Sequence, residues 1–151
     1  MLQTILGIAC FDTAFRRALF TDCTAAVRAY SCDPGANDLA VLKVLCNDPS
    51  LKECFEAVAG RICTHPPCPP IPTGTLDVIG AALLDKVFLE ELFVDPITAA
   101  KKHSFVLCYP ETYVLNVLIE GDIEAKLKNA MVALSTRIAQ VIEDAKLQLA
   151  A

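Results

Sequence analysis

Residues 5–45, ILGIACFDTAFRRALFTDCTAAVRAYSCDPGANDLAVLKVL, and residues 78–118, VIGAALLDKVFLEELFVDPITAAKKHSFVLCYPETYVLNVL, fall into one register when the chain is slid by 73 positions. Identical pairs run through it without a gap: Gly7/Gly80, Ala9/Ala82, Asp12/Asp85, Phe15/Phe88, Leu19/Leu92 and Phe20/Phe93, then Asp22/Asp95, Ala26/Ala99, Ser31/Ser104, Leu42/Leu115, Val44/Val117 and Leu45/Leu118. Chance rarely keeps one register that far. A repeated segment is a supersecondary unit that buries its apolar face against a neighbour. The chain therefore reads as two diverged copies of one short unit.

The unit is helical. In the second copy Ile79, Leu83, Val87, Phe88 and Leu92 recur at helical spacing. Asp95 then offers an N-cap oxygen, and Pro96 stands where its missing N–H costs nothing, so residues 97–103 form a short second helix. Tyr109, Pro110 and Glu111 open a third, expected to turn Tyr113, Val114, Val117 and Leu118 inward. Gly121 stops it and Asp122 caps the next helix. In the first copy Asp22 caps a short helix, Asp33-Pro34-Gly35 turns the chain, and Asn37 or Asp38 caps residues 39–46. Asp48 and Pro49 begin one more helix, with Leu51, Phe55, Val58 and Ile62 on one face. Strand-like alternation survives nowhere for long. The expected class is all-α, with two tandem three-helix units.

Between the copies runs HPPCPPIP at residues 65–72, whose five prolines favour an extended, semi-rigid spacer. Residues 123–149 read as one long helix. Leu127, Met131, Leu134, Ile138, Val141 and Ala145 step along it by four and three, a coiled-coil spacing, and Ile123, Ala130 and Ala133 add a second apolar row. That stripe either folds back on the two units, pairs with a second copy of the chain in a dimer or higher assembly, or docks onto a larger subunit. The expected divisions are 1–62 (first repeat plus an extra helix), 63–74 (spacer), 75–121 (second repeat) and 122–151 (long helix).

Composition narrows the class of function. With 54% apolar and 21% charged residues, 151 residues suffice for a real core. A net charge of −5 and no basic run argue against nucleic acid, whose phosphates need clustered Lys and Arg. Asp12, Arg16, Arg17, Asp77, Asp85 and Lys86 interrupt the longest apolar stretches, so no segment reaches the ~20 apolar residues of a membrane span. The first nine residues lack the positive start of a secretory signal, which points to a first helix and a cytoplasmic protein.

Eight cysteines stand at positions 10, 23, 32, 46, 54, 63, 68 and 108. In a reducing compartment most are small hydrophobes on apolar faces. The one constellation with possible chemistry is Cys63, His65 and Cys68, joined by Cys54. Thiolate and imidazole suit Zn or Cu(I), although the spacing matches no standard zinc knuckle. A Cys63–Cys68 disulfide is the other reading, in an oxidising compartment.

Nucleophilic catalysis would need a base within reach of a thiolate, and the chain has only His65 and His103. His103 aligns with Tyr30 in the repeat, which marks a structural position. Glu90, Glu91 and Glu111 read as solvated helix turns, and Asp22, Asp48 and Asp95 are occupied as caps. Phosphate-cradling glycine loops, His–Glu metal helices and Ser-centred elbows are missing from the sequence. The expectation is a protein that is not an enzyme.

The pattern L-G-x-A-x-x-D-x-x-F-x-x-x-L, then a D-P-x-x-A turn and a P-E helix start, resembles a clan of small bacterial helical domains. These are the leader regions of ribosomally made, modified peptides (the nitrile-hydratase-leader type), the helical binding domain of borosin precursors, and the small helical subunit of extradiol dioxygenases. The matching residues are Leu6, Gly7, Ala9, Asp12, Phe15, Leu19, Asp22 and Ala26 in the first copy. In the second they are Gly80, Ala82, Asp85, Phe88, Leu92, Asp95, Pro96, Ala99, His103, Pro110, Glu111, Gly121 and Asp122. The resemblance implies a domain that a larger enzyme binds and that does no chemistry itself. Two departures qualify it: the unit is doubled, and an amphipathic helix stands where a precursor would carry its short core peptide. A tandem recognition or assembly module fits better than a simple precursor.

Overall fold

The computed structural model describes residues 1–30, 32–62 and 71–150, the side chains of residues 62, 123 and 147–150 excepted. The elements are α1 (Leu2–Phe11), α2 (Thr13–Thr21), α3 (Cys23–Ala29), α4 (Ala36–Cys46), α5 (Pro49–Ile62), α6 (Thr73–Leu84), α7 (Lys86–Val94), α8 (Pro96–Lys102), α9 (Tyr109–Glu120) and α10 (Lys126–Ala150). A 3-10 turn, Ile123–Ala125, precedes α10. The class is all-α. Among the described residues no helix is long and apolar enough to cross a membrane.

Helix boundaries repeat with the sequence register, and aspartates set them. Asp12 donates its N–H to the Ile8 carbonyl at 2.8 Å, ending α1, while its carboxylate accepts the Phe15 N–H at 3.0 Å, starting α2. Asp85 does the same between α6 and α7, accepting from Val87 and Phe88 at 3.0 and 3.2 Å. Asp22 caps α3 through Ala25, and Asp95 caps α8 through Thr98, as expected from the sequence. The expected three helical pieces per copy are thus four. The apolar period runs unbroken through Asp12 and Asp85, but a carboxylate that takes an amide three residues on breaks the backbone ladder there.

Three further boundaries differ from expectation. α4 starts at Ala36 with Gly35 as its N-cap, ahead of Asn37 and Asp38. α6 starts at Thr73, inside the stretch read as spacer, because the Pro72 carbonyl already accepts the Thr75 and Leu76 N–H groups. At the other end Asp122 reaches past the 3-10 turn to accept the Leu127 and Lys128 amides at 2.7 and 3.0 Å. Glu124 and Ala125 are held at φ 70° and 54° in that bend, so the long helix proper begins at Lys126.

α1 and α6 pack against each other at the centre, where the two copies meet by a pseudo-two-fold relation. The Thr4 hydroxyl donates to Asp77, its own counterpart in the repeat register. α5 and α10 cross the same axis with Leu51, Phe55 and Val58 buried on one side and Leu127, Met131 and Leu134 on the other. The stripe Leu127, Met131, Leu134, Ile138 and Val141 therefore faces the chain's own α4, α5, α6 and α7, with Ala145 half-buried at its end. At ~1.5–3 kcal/mol for each large apolar side chain, the five buried ones amount to about 10 kcal/mol. Of the three readings of the stripe, folding back is the one the fold adopts, and an interface through it would require α10 to leave the core.

Candidate interaction surface

The pseudo-symmetry fails at one helix. α4 packs on α1, α3, α5 and α10. Its counterpart α9 packs mainly on α6 and α8, the equivalents of α1 and α3. In the first unit α10 runs on past Ile138, and its Val141 and Ala145 line one groove with Val44 of α4 and Asn47 just past its end. Among the described residues the corresponding helix, α5 (Pro49–Ile62), makes no comparable contact with α9. Val44 is half-buried as a result, whereas its counterpart Val117 is 52% exposed.

Polar contacts fix which face of α9 turns outward. The buried Thr75 hydroxyl donates to the Glu111 carbonyl at 3.0 Å. The Glu111 carboxylate accepts the Cys108 N–H at 3.1 Å and the Cys108 thiol at 2.7 Å. It also lies against Gly74, where a side chain would collide with it. The Cys108 thiol, then the Cys108 amide, hold the Glu111 carboxyl below the ordinary carboxylate range, with the Gly74 amide helping and desolvation opposing. Position 111 thus anchors the helix, and Leu115, one turn on, is its buried residue.

The opposite face carries Tyr109 and Tyr113, stacked with ring centroids 6.3 Å apart, followed one turn later by Val117. Tyr109 is 79% exposed and Tyr113 58%. This corrects the expectation that Tyr113 and Val117 point inward; Val114 and Leu118 of that group are half-buried. Periodicity alone could not choose the face, because apolar residues surround the helix. The first copy held the signal: Ala36 and Ala40, small residues on an exposed face of α4, occupy the positions equivalent to Tyr109 and Tyr113.

Of the proposed metal ligands, Cys63, His65 and Cys68 lie outside the described residues. Cys54 is half-buried beside the core, with its thiol pushed up by desolvation and with Arg137, Asp48 and Glu53 nearby. Among the described residues no group of three or more His, Cys, Asp or Glu side chains is placed to hold a metal ion. Cys10 is fully buried, and burial pushes its thiol up to about 12 against the opposing charge of Arg16.

His103 sits where the repeat puts Tyr30, and the two play one part. Tyr30 packs tilted against Phe15 with ring centroids 4.5 Å apart, and His103 packs tilted against Phe88 at 4.3 Å. The Tyr30 hydroxyl donates to Asp12 at 3.1 Å, while His103 Nε2 lies 3.7 Å from Glu91. Asp48, expected as a cap, accepts the Ser50 amide and hydroxyl at 2.9 and 2.7 Å and also pairs with Arg137 of α10. Sequence reasoning missed Arg16: its guanidinium is buried and donates to the Ala9 carbonyl at 2.9 Å and the Thr13 hydroxyl at 3.2 Å. Leu89 fills the equivalent place in the second copy. No protein family, curated protein or solved structure matches the chain.

Proposed function

We propose that the protein is a non-catalytic helical recognition module, bound in the cytoplasm by a larger protein that lays an amphipathic helix along α9. The observation that carries this reading is the Tyr109–Tyr113–Val117 row, exposed on a helix that lacks, among the described residues, the cover its counterpart has. The chain supplies its own template for the occupant, since α10 packs on α4 and lines a groove with Val44, the counterpart of Val117. Rigid tyrosines offer large apolar area at low entropic cost, and such residues dominate binding energy at protein interfaces. Recognition of this kind works by shape and burial, with few charge contacts. The resemblance of the repeated unit to leader and binding domains supports a peptide-modifying enzyme as the class of larger partner.

A photo-crosslinking phenylalanine analogue at position 113, expressed in the native host, tests the reading. Position 56, on the exposed side of α5, serves as control. The expected result is a discrete adduct from position 113, heavier than two copies of the chain and missing from position 56. No adduct, or equal adducts from both positions, would overturn it. An adduct of twice the chain mass would overturn it too, since α9 would then pair with α9 of a second copy.

A further inference from the structure

α4 and α9 carry the same apolar residues where α10 packs on α4 alone. Leu42, Val44 and Leu45 recur unchanged as Leu115, Val117 and Leu118. Leu42 and Leu115 are both buried, but the other two pairs differ. Leu45 is buried where Leu118 is half-buried, and Val44 is half-buried where Val117 is exposed. One repeated surface is therefore present twice, once with a helix seated on it and once without.

The seated helix shows which residues do the work. Arg137, Val141, Asp144 and Ala145, which share one helical face, line the groove with Val44, Asn47 and Asp48. Asp48 accepts the Arg137 Nε–H, so the groove holds an ion pair beside its apolar contact. In the repeat register Val117, Glu120, Gly121 and Asp122 stand at the places of Val44, Asn47, Asp48 and Pro49. Asp122 is occupied with the Leu127 and Lys128 amides. Glu120 is exposed and, among the described residues, pairs with no cation. The bare face keeps the valine and carries a free carboxylate one turn on, where α4 is followed by a neutral asparagine.

Resting on the recognition reading above, we infer that the partner helix on α9 repeats the α10 pattern with its acid removed. It carries a basic residue, a branched apolar residue four positions later and a small apolar residue after four more. The branched residue seats on Val117 as Val141 does beside Val44. At the place of Asp144 the partner has a neutral or basic residue, because an acid there would meet Glu120. Tyr109 and Tyr113 extend the contact toward the start of α9, where α4 has only Ala36 and Ala40. The chain's own α10 is held in the core by Leu127, Met131, Leu134 and Ile138, so the occupant is a helix of another protein.

The test titrates the full-length protein into two fluorescent synthetic peptides and reads anisotropy. One peptide has the sequence of residues 131–146, and the other is the same with Asp144→Lys. Both should bind saturably, the lysine peptide about fivefold more tightly. Val117→Asp in the protein should weaken both about tenfold or more. Glu120→Gln should abolish the advantage of the lysine peptide. Absence of saturable binding would overturn the inference, as would binding that Val117→Asp leaves unchanged. So would a lysine peptide no tighter than the natural one, or one whose advantage survives Glu120→Gln; the peptide comparison on the wild-type protein stands whether or not either variant folds. The adduct from position 113 judges the recognition reading separately, so failed peptides with that adduct present would remove the α10-like pattern alone.

Discussion

Gly7 and Gly80 make one contact twice: Gly7 of α1 faces the Leu76 carbonyl of α6, and Gly80 of α6 faces the Gln3 carbonyl of α1. Gln3 and Leu76 are themselves repeat equivalents, so the arrangement is that of an isologous dimer drawn inside one chain. The shared glycine is what lets the backbones of α1 and α6 approach so closely.

A methyl group at either position would overlap a backbone carbonyl, which cannot turn aside as a side chain could. Gly7→Ala and Gly80→Ala should each gain ~1 kcal/mol of helix propensity and lose more to overpacking, for a net cost of about 2 kcal/mol. The double variant should cost less than the sum, because the first methyl already parts the helices. Urea unfolding of the three proteins checks this. A single alanine variant as stable as wild type would mean that α1 and α6 do not meet at their glycines.

Much of this was legible because local chemistry wrote it. Asp22, Asp95 and Asp122 act as the caps their positions suggest, and Asp48 closes the start of α5. The illegible part depended on contacts far along the chain. The rotation of α9 is set by Thr75 holding Glu111, residues separated by 36 positions, and no helical period within α9 encodes it. The destination of the α10 stripe was open for the same reason: coiled-coil spacing describes an apolar seam, and α5 happens to supply the other side of it.

The equivalence of Tyr30 and His103 has a direct consequence. Each ring packs, tilted, against a phenylalanine of the same repeat position, so the site asks for an aromatic ring before it asks for a particular polar atom. His103→Tyr should therefore be tolerated within about 1 kcal/mol, whereas His103→Ala should cost about 1–2 kcal/mol in lost ring contact and burial. Thermal melts at one pH rank the three proteins, and equal melting temperatures for the tyrosine and alanine variants would sink the idea.

Asp48 joins the start of α5 to α10, accepting the Arg137 Nε–H at 2.9 Å. Desolvation works to raise its carboxyl, but the Ser50 hydroxyl and amide and the Arg137 guanidinium outweigh it, leaving the group below the ordinary carboxylate range. A depressed folded-state pKa means the contribution is fully present above the unfolded value of about 4 and is lost as the pH falls through the folded one. Stability should therefore drop below about pH 4 in the wild type, and Asp48→Asn should flatten part of that drop. Denaturant midpoints between pH 2 and pH 7 measure it; parallel profiles for the two proteins would remove Asp48 from the account.

Tyr113 and Leu115 stand two residues apart on α9, one mostly exposed and one fully buried, and they separate folding from recognition. Leu115→Ala removes core atoms that the surrounding helices can refill only in part, so it should cost about 2–4 kcal/mol. Tyr113→Ala and Val117→Asp take nothing from the core and should stay within about 0.5 kcal/mol of wild type. If the α9 face serves a partner, the cost of those two changes falls on binding, where loss of a central tyrosine commonly exceeds 2 kcal/mol, or about thirtyfold in affinity. Melting curves read the first half of the contrast, and adduct yield from a crosslinker placed at Tyr109 reads the second. A Tyr113→Ala protein that melts far below wild type would show that the exposed row holds α9 in place, and the recognition reading would lose the observation it stands on.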